Sequence, residues 1–502
     1  MPEKQIKQSK AMSVSKSISL RKLIPYLLFQ SILLVTACAT TPDTATSSLA
    51  LTDCTLSSSG MPLEVSAKCG TLEVLENPSN PQGRKINLNV AVVPAISRSA
   101  EAEPLFVLAG GPGQSIVEVF PAMYSSLYRI HEKRDIVLVD QRGTGKSNPL
   151  RCLDSNDESV DDEQAIALLK ECPKTLDADL KYYTTDLAMQ DLDQVRAALG
   201  YQSINLYGVS YGTRAALTYL KMYPKQVRSV VLDAVVDPAF VLYQDAAQDG
   251  QKSLEFFLSR CEADKDCASA YPKLREELDS ILQDLDKTPA VITIPHPNTA
   301  NPLELTVSKA FFTSMIFNTL YSPDLVALLP LSIHQAYTEK NYAPLIAQAY
   351  LLDGGVYDGM FYAVTCSEDA PLLSPVEAKK AGAESVFGDR TLDFIEVCNA
   401  WTKGNAPPVL RAPVSSDVPV LILSGEADPI TPPWHAEHLS KSLPNSLHLI
   451  FKGMGHGNIT TECATKIMDN FIEGATIKGL DTSCVKAVTP PPFFVDFSGP
   501  QP

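Results

Sequence analysis

The stretch Ser203–Ala216, S-I-N-L-Y-G-V-S-Y-G-T-R-A-A, constrains the fold more than any other part of the chain. An apolar run that includes Ile204 and Leu206 predicts a short buried strand, and the residues from Thr213 onward predict the start of a helix. Between them lies a G-x-S-x-G motif centred on Ser210. A serine on a sharp strand-to-helix turn has its hydroxyl exposed at a helix N-terminus, where the helix dipole favours developing negative charge. The stretch therefore predicts a catalytic nucleophile in a chain that alternates strands and helices.

Two later loops supply the partners that a nucleophilic serine needs. Asp428 follows an apolar strand-like segment, and His456 lies in a glycine-rich loop after the last such segment. In a catalytic triad, a histidine takes the serine proton and a carboxylate orients the imidazole. Asp233 and Glu426 are the alternative acids, because each also lies near the end of a predicted strand. The chain order serine, acid, histidine favours Asp428 and His456.

A second glycine-rich loop, A-G-G-P-G at 109–113, follows another short apolar segment. Glycines allow backbone N–H groups to face a ligand. We expect Gly111, with Gly110 as the alternative, to donate one N–H to an oxyanion. The second donor is then the N–H of Tyr211, the residue after the nucleophile.

The sequence D-Q-R-G-T-G-K-S at 140–147 has the ending of a phosphate-binding loop but not its beginning. Such a loop requires glycine where this chain has Asp140. We therefore interpret the segment as a structural turn, in which Asp140 and Arg142 brace the loops around the site.

The first 37 residues predict a targeting segment. Lysines and arginines precede an apolar run over 23–35, and small residues come directly before Cys38. This pattern resembles a bacterial lipoprotein cleavage box, with a plain signal peptide or an anchoring helix as the alternatives and either Met1 or Met12 as the start. We expect a lipidated Cys38, a flexible tether over 38–53, and export to the cell envelope, on the outer-membrane or periplasmic side if the host is Gram-negative. The lipid would be the only membrane attachment.

Cysteine usage agrees with export. The chain has 11 cysteines, and those other than Cys38 fall into close sequential pairs. Spacing alone does not fix the pairing, but we expect five disulfides: Cys54 with Cys69, Cys152 with Cys172, Cys261 with Cys267, Cys366 with Cys398, and Cys463 with Cys484. No C-x-x-C motif occurs, and we expect neither a metal nor an organic cofactor. The formal net charge of −16 argues against nucleic acid as a partner.

The middle of the chain loses the rhythm of alternating strands and helices. Apolar residues at helical spacing predict helices at 241–263, 270–286, 308–320, 323–350 and 375–385. We expect a mostly helical cap over 241–412, inserted between two parts of a catalytic core at 54–240 and 413–488. A proline-rich tail at 489–502 follows the core.

Taken together, G-G-P-G, D-Q-R-G-T-G-K-S, Y-G-V-S-Y-G-T-R, G-E-A-D-P-I-T-P and G-H-G resemble the prolyl- and tripeptidyl-aminopeptidase branch of the α/β-hydrolases. T-C-S-E-D at 365–369 and C-N-A-W at 398–401 are similar to that family's exported members. The resemblance spans about 70–485 and implies an α/β fold: a mostly parallel sheet with helices on both faces and a helical cap. Ala109 departs from it, because many relatives have histidine there.

The resemblance also implies an exported serine aminopeptidase that acts on peptides through an acyl-enzyme on Ser210. It would release an N-terminal proline or a short unit such as a tripeptide, with no obligate protein partner. Such an enzyme needs a carboxylate in the cap for the substrate ammonium, and Glu368, then Asp369, are our candidates. Trp401 is placed either in the pocket wall or in the core. A carboxylesterase or lipase-like hydrolase using the same triad is the alternative function.

Overall fold

The computed structural model describes residues 49–58, 63–153, 162–295, 300–350, 355–388 and 390–500. All of them belong to one unit, Thr46–Pro502. The predicted targeting segment, Cys38 and most of the predicted tether lie outside the described residues. The end of that tether is part of the fold, because the first strand begins at Thr52.

Within the described ranges, nine strands form one sheet in the order β1-β2-β3-β5-β4-β6-β7-β10-β11. The first three strands and the pair β3–β5 are antiparallel, and the remaining neighbours are parallel. The strands are β1 Thr52–Ser57, β2 Glu64–Leu75, β3 Lys85–Val93, β4 Leu105–Leu108, β5 Ile136–Val139, β6 Ile204–Val209, β7 Val227–Asp233, β8 Ala290–Pro295, β9 Pro302–Val307, β10 Val420–Gly425 and β11 Ser446–Phe451.

Helices cover both faces of the sheet and fill the insertion between β7 and β10. They are α1 Ile116–His131, α2 Asp162–Glu171, α3 Thr185–Ala198, α4 Tyr211–Met222, α5 Ala246–Ala263, α6 Lys265–Ala270, α7 Leu274–Lys287, α8 Lys309–Thr319, α9 Pro323–Val326, α10 Leu329–Glu339, α11 Ala343–Tyr350, α12 Asp358–Glu368, α13 Pro375–Ala383, α14 Arg390–Ala400, α15 Pro433–Ser440 and α16 Glu462–Gly474. The predicted α/β fold is thereby confirmed.

The central strands are buried on both faces, as expected for parallel strands covered by helices. Leu206 packs into an apolar cluster on one face of the sheet, and its neighbour Tyr207 packs into a second cluster on the other face. A third apolar cluster lies within the insertion, where Phe257 of α5 packs among the helices. The ring of Phe493, from the proline-rich tail, lies 5.9 Å from that of Phe257. The tail therefore closes against the cap.

The insertion is more varied than its sequence predicted. Helices form in all five predicted segments, but 323–350 holds three short helices and not one long one. The antiparallel hairpin β8–β9 and the helices α12 and α14 are additional. Helix α3 begins at Thr185, and Thr184 occupies its N-cap position.

All five disulfides form in the expected sequential pairing: Cys54–Cys69, Cys152–Cys172, Cys261–Cys267, Cys366–Cys398 and Cys463–Cys484. The Cys366–Cys398 bond joins α12 to α14, with the two Cα atoms 5.0 Å apart. In the ranges that the structure describes, no helix is both long enough and apolar enough to cross a bilayer.

The D-Q-R-G-T-G-K-S segment forms the expected bracing turn. Asp140 accepts hydrogen bonds from Ser115 Oγ at 2.6 Å and from Asn89 Nδ2 at 2.7 Å. Arg142 is fully buried and donates two parallel bonds to the carboxylate of Asp191, at 2.7 and 2.8 Å. These charged groups tie the loop after β5 to α1, β3 and α3.

Candidate active site

Ser210 lies between β6 and α4 in a backbone conformation that non-glycine residues rarely adopt, with φ 56° and ψ −128°. The flanking glycines permit this turn. A Cβ at Gly208 would overlap the Gly212 carbonyl, and a Cβ at Gly212 would overlap the carbonyl oxygen of Leu108 on the next strand. The motif thus presses the start of α4 against β4 and leaves Ser210 at the N-terminus of the helix.

His456 and Asp428 form a hydrogen-bonded pair at the ends of neighbouring strands. His456 Nδ1 lies 2.8 Å from Asp428 Oδ2. The other carboxylate oxygen of Asp428 accepts the backbone N–H groups of Ile430 at 3.0 Å and Thr431 at 2.9 Å, and Thr431 Oγ1 donates to Oδ2 at 2.8 Å. Both oxygens of the Asp428 carboxylate therefore accept hydrogen bonds from groups other than the imidazole, and these bonds hold the carboxylate in place.

The pKa values of this pair move in the directions of an ion pair. Burial alone would lower the pKa of His456, but the adjacent Asp428 carboxylate outweighs burial and raises it. Burial would likewise raise the pKa of Asp428, and the imidazole together with the backbone N–H bonds lowers it. The arrangement suits an imidazole that accepts a proton and holds it next to a carboxylate.

The two alternative acids occupy other positions. Glu426 accepts the N–H of Gly453 at 3.0 Å and so stabilises the loop before His456. Asp233, fully buried, accepts two bonds from the N–H of Asn458, at 2.9 and 2.7 Å, and one from the N–H of Ile459 at 3.0 Å. Neither bonds to His456, and Asp428 is the one of the three acids that does.

Asp233 nevertheless links both sides of the site. Its main-chain oxygen accepts the N–H of Ser210 at 3.0 Å, while its side chain holds the loop that follows His456. Burial raises the pKa of this carboxyl, and the hydrogen bonds from Asn458 and Ile459 counteract that rise. One residue at the end of β7 therefore sets the position of the nucleophile relative to the histidine loop.

The oxyanion donors predicted from sequence lie around Ser210. Gly110 and Gly111 line the same cavity as Ser210 and His456. The N–H of Gly110 already donates to Gln114 Oε1 at 3.0 Å, so Gly111 is the better donor of the two. Tyr211 is the first residue of α4, and the N–H of a first helical residue has no partner within its helix.

The cavity above Ser210 has a volume of about 740 Å³ and is walled mainly by the cap. Apolar and aromatic side chains dominate the wall, among them Phe311, Met315, Tyr321 and Phe361. Tyr321 also holds the histidine: its main-chain carbonyl accepts the backbone N–H of His456 at 2.8 Å, and the centroids of the two rings are 4.9 Å apart. The cap therefore both shapes the substrate space and supports the catalytic base.

The structure corrects the candidates for the substrate ammonium. Glu368 and Asp369 are buried beneath the cavity and do not line it. Glu368 accepts the N–H of Thr185 at 2.7 Å and its hydroxyl at 2.9 Å. Asp369 pairs with Arg214 at 2.8 Å and with Arg411 at 2.7 Å. Both carboxylates are already satisfied and closed to substrate.

These two carboxyls differ in their electrostatics. Burial is the largest influence on both pKa values. It raises the pKa of Glu368 to about 7, whereas Arg214 and Arg411 lower the pKa of Asp369.

Trp401 takes the core position of its two predicted alternatives, because its indole N–H donates to the carbonyl of Leu169 and its side chain is buried.

Sequence reasoning missed Asp358, the one carboxylate among the described residues that line the cavity. Asp358 begins α12, and its Oδ1 accepts the N–H groups of Cys152 at 2.7 Å and Gly359 at 2.9 Å. Its Oδ2 accepts the N–H of Leu153 at 2.8 Å. A carboxylate has about four acceptor sites, and the described residues fill three of those of Asp358. In sequence, an aspartate in a first helical turn predicts only helix stabilisation.

Across the described residues, no group of three or more His, Cys, Asp or Glu side chains is arranged to hold a metal ion. His435 and His438, the two histidines close together on α15, are engaged differently. His438 bonds to Asp237 at 2.7 Å, and burial lowers the pKa of His435 to about 4.

Comparison with known proteins agrees with this geometry. The family model described as alpha/beta hydrolase fold matches residues 103–462. "Serine protease Hip1" of Mycobacterium tuberculosis (strain CDC 1551 / Oshkosh) is 25% identical over 476 residues, covering 86% of this chain and 90% of the relative. "Tripeptidyl aminopeptidase" of Streptomyces coelicolor is 26% identical, covering 85% and 84%. "Carboxylesterase B" of M. tuberculosis is 27% identical, covering 81% and 84%.

Proposed function

The chain belongs to the α/β-hydrolase family and is a serine peptidase, and we propose that it is an aminopeptidase that removes a short N-terminal unit from peptides. The observation that carries this proposal is the placement of Asp358 in the same cavity as Ser210 and His456. The relatives named tripeptidyl aminopeptidase and serine protease support a peptide substrate.

The chemistry follows from the geometry of the triad. His456 takes the proton of Ser210 as Oγ attacks the carbonyl carbon, and Asp428 stabilises the imidazolium that forms. The N–H groups of Gly111 and Tyr211 hold the oxyanion, a contribution of about 3 kcal/mol per donor in comparable enzymes. His456 then protonates the leaving amine, and water releases the acyl group from Ser210.

Asp358 places a carboxylate in the wall of the cavity. The carboxylate is held rigidly by three backbone N–H groups, and Oδ2 accepts only one of them. An ammonium group is a three-way donor that suits this remaining position. A free N-terminus bound there would limit how much of the peptide fits between Asp358 and Ser210, and so would define the length of the released unit.

We propose that the enzyme works outside the cytoplasm, attached to the cell envelope through a lipid on Cys38. The basic and apolar leader before Cys38 supports this location. The five disulfides support an oxidising compartment.

Hydrolysis of a defined substrate panel by the protein lacking residues 1–38 tests the aminopeptidase activity. The panel holds prolyl, alanyl and tripeptidyl arylamides, their N-acetylated counterparts, and p-nitrophenyl esters. We expect cleavage of free-amine arylamides only, with chain length separating single-residue from tripeptide release, and no activity in Ser210→Ala. Asp358→Asn should lower kcat/KM for free-amine substrates about tenfold, since a charged hydrogen bond contributes roughly 1.5–3 kcal/mol.

The matched control is Asp53→Asn, because the side chain of Asp53 is 94% exposed on the first strand. This change should leave all rates unaltered. Ester cleavage without arylamide cleavage would instead indicate a carboxylesterase, the activity that the name of one relative carries. Equal rates for free and N-acetylated arylamides would contradict the role given to Asp358.

A further inference from the structure

A side chamber of about 270 Å³ adjoins the catalytic cavity. We define it by Tyr321, Tyr362, Phe387, Phe394 and Arg390. Tyr321 and Tyr362 line both spaces, so the chamber lies directly beside the cavity that holds Ser210. Of this lining, the site described above uses only Tyr321, which supports His456, and the N–H of Ile430, which donates to Asp428.

The side chamber lies on the histidine side of the site. Tyr321 packs its ring on His456, with centroids 4.9 Å apart. Ile430, which also lines the chamber, donates its N–H to the triad carboxylate of Asp428 at 3.0 Å. Because the triad histidine gives its proton to the departing amine, the space beside it receives the leaving group.

The chamber wall combines aromatic rings with one charge. The rings of Tyr362 and Phe394 are stacked with centroids 6.0 Å apart, and the Phe387 ring meets that of Phe317 at 5.2 Å. Among the described residues that line the chamber, Arg390 is the one charged side chain. Burial raises the pKa of Tyr321 and Tyr362, and the positive charge of Arg390, which lines the same space as both phenols, acts in the opposite direction.

The two charges line different spaces: Asp358 lines the catalytic cavity, and Arg390 lines the side chamber. Burial raises the pKa of Tyr362 most, the Asp358 carboxylate raises it further, and the Arg390 guanidinium lowers it. A ligand that runs from the cavity into the side chamber therefore meets a carboxylate first and a guanidinium last. This is the charge pattern of a short peptide, which carries an ammonium at one end and a carboxylate at the other.

We propose that the side chamber is the leaving-group subsite and that it takes an amino acid with a large apolar side chain and a carboxylate that pairs with Arg390. The proposal rests on the aminopeptidase function given above. Guanidinium groups bind carboxylates with two parallel hydrogen bonds, and aromatic walls favour large apolar side chains. The carboxylate is either the α-carboxylate of a C-terminal residue or an acidic side chain in the leaving peptide.

The test measures kcat/KM, with products identified by mass spectrometry, for Ala-Phe and Ala-Ala-Ala-Phe as free acids and as C-terminal amides. Ala-Ala-Ala-Ala serves as the small leaving group, and Ala-Ala-Ala-Asp amide against its Asn counterpart isolates the acidic side chain. The variants are Arg390→Gln and Ala247→Phe, the latter placing a ring at a half-buried position of the chamber wall. Arg98→Gln, on an exposed loop, is the control.

We expect the wild type to prefer the free acid to the amide by about tenfold, and Arg390→Gln to abolish that preference without changing the amide or arylamide rates. Ala247→Phe should reduce the preference for Phe over Ala as leaving residue by a similar factor. A gain for the Asp amide alone would identify the acidic side chain as the carboxylate source. Equal rates for acid and amide, with no gain for Asp over Asn, would overturn the subsite. Ester-only hydrolysis would overturn the aminopeptidase function and the subsite together.

Discussion

The loop that carries Ser210 and the cap wall that faces it are held by different kinds of contact. Around Ser210, backbone touches backbone: Gly212 leaves no room for a Cβ beside the Leu108 carbonyl, and the Ser210 N–H donates to the main-chain oxygen of Asp233. In the cap wall, side chains touch side chains, as where the Tyr362 ring lies 5.4 Å from that of Trp401. Ser210 is thus positioned by main-chain contacts, whereas the substrate space is shaped by side chains, which substitution can change.

The strongest test of this contrast compares one glycine from each region. Gly212→Ala forces a Cβ into the Leu108 carbonyl, and we expect a loss of about 3 kcal/mol of unfolding free energy and of nearly all activity. Gly388, in the side chamber, has φ +68° and open space around its Cα. Gly388→Ala should cost only about 1 kcal/mol, for the left-handed backbone, and keep the activity. Urea unfolding and arylamide hydrolysis measure both; similar losses in the two variants would contradict the contrast.

The next largest effect is expected at Asp233, which links Ser210 to the loop that follows His456. Asp233→Asn keeps the main-chain bond to Ser210 but weakens the side-chain bonds to Asn458 and Ile459. We expect kcat to fall about 10- to 100-fold with KM nearly unchanged, because a misplaced histidine loop affects the chemical step.

The pH profile of Asp233→Asn distinguishes a misplaced His456 from a loss of the fold. His456 faces the carboxylates of Asp428 and Asp233, and both raise its pKa. Activity requires neutral His456, so kcat/KM should rise with pH through a midpoint above 6.5 in the wild type. Removing the Asp233 charge should move that midpoint to lower pH. An unchanged midpoint together with unchanged kcat would assign Asp233 a purely structural role.

Glu368 provides a prediction on stability. Burial raises its pKa from 4.5 to about 7 in the folded protein, so the folded state binds more protons than the unfolded state between these values. Its contribution to stability is full below about pH 4.5 and is lost as pH rises through about 7. Urea unfolding of Glu368→Gln should show a smaller decline across this window than the wild type. An identical decline would place the titration elsewhere.

The smallest effect is expected in the cavity wall. Met315 lines the cavity from α8 and is not hydrogen-bonded to the triad. Met315→Ala should change KM by a few-fold for substrates with bulky released residues and leave kcat for alanyl substrates unchanged. A comparable fall in kcat for every substrate would mean that the cap wall acts on the chemistry itself.

The backbone-held part of the site is also the part that could be predicted from sequence. Gly208 and Gly212 are required by close backbone approach, so the motif around Ser210 carries its structure in its residue types. The chain order of Ser210, Asp428 and His456 placed the histidine–acid pair that the structure brings together. The cysteine pairing followed from proximity in sequence, since each pair closes a short loop.

Helix α12 of the cap and the roles of its carboxylates could not be predicted from the sequence, for a physical reason. Helix α12 is buried on several sides, with Met360, Thr365 and Glu368 all inside, so its sequence has no clear apolar face. Glu368 and Asp369 were misjudged because the sequence does not show that Thr185 donates a hydrogen bond to Glu368 and that Arg214 forms an ion pair with Asp369. Asp358 was missed because the N–H groups that hold its carboxylate belong to Cys152 and Leu153, more than 200 residues earlier.

The most direct test of the central claim uses peptidyl phosphonate diphenyl esters, which phosphonylate an activated serine, with the N-terminus free or acetylated. The rate of inactivation and the modified residue are measured together, the latter by peptide mapping. We predict modification of Ser210, at a rate about tenfold higher for the free amine, and loss of that difference in Asp358→Asn. Modification elsewhere, or equal rates for the two reagents in the wild type, would contradict an aminopeptidase built on Ser210 and Asp358.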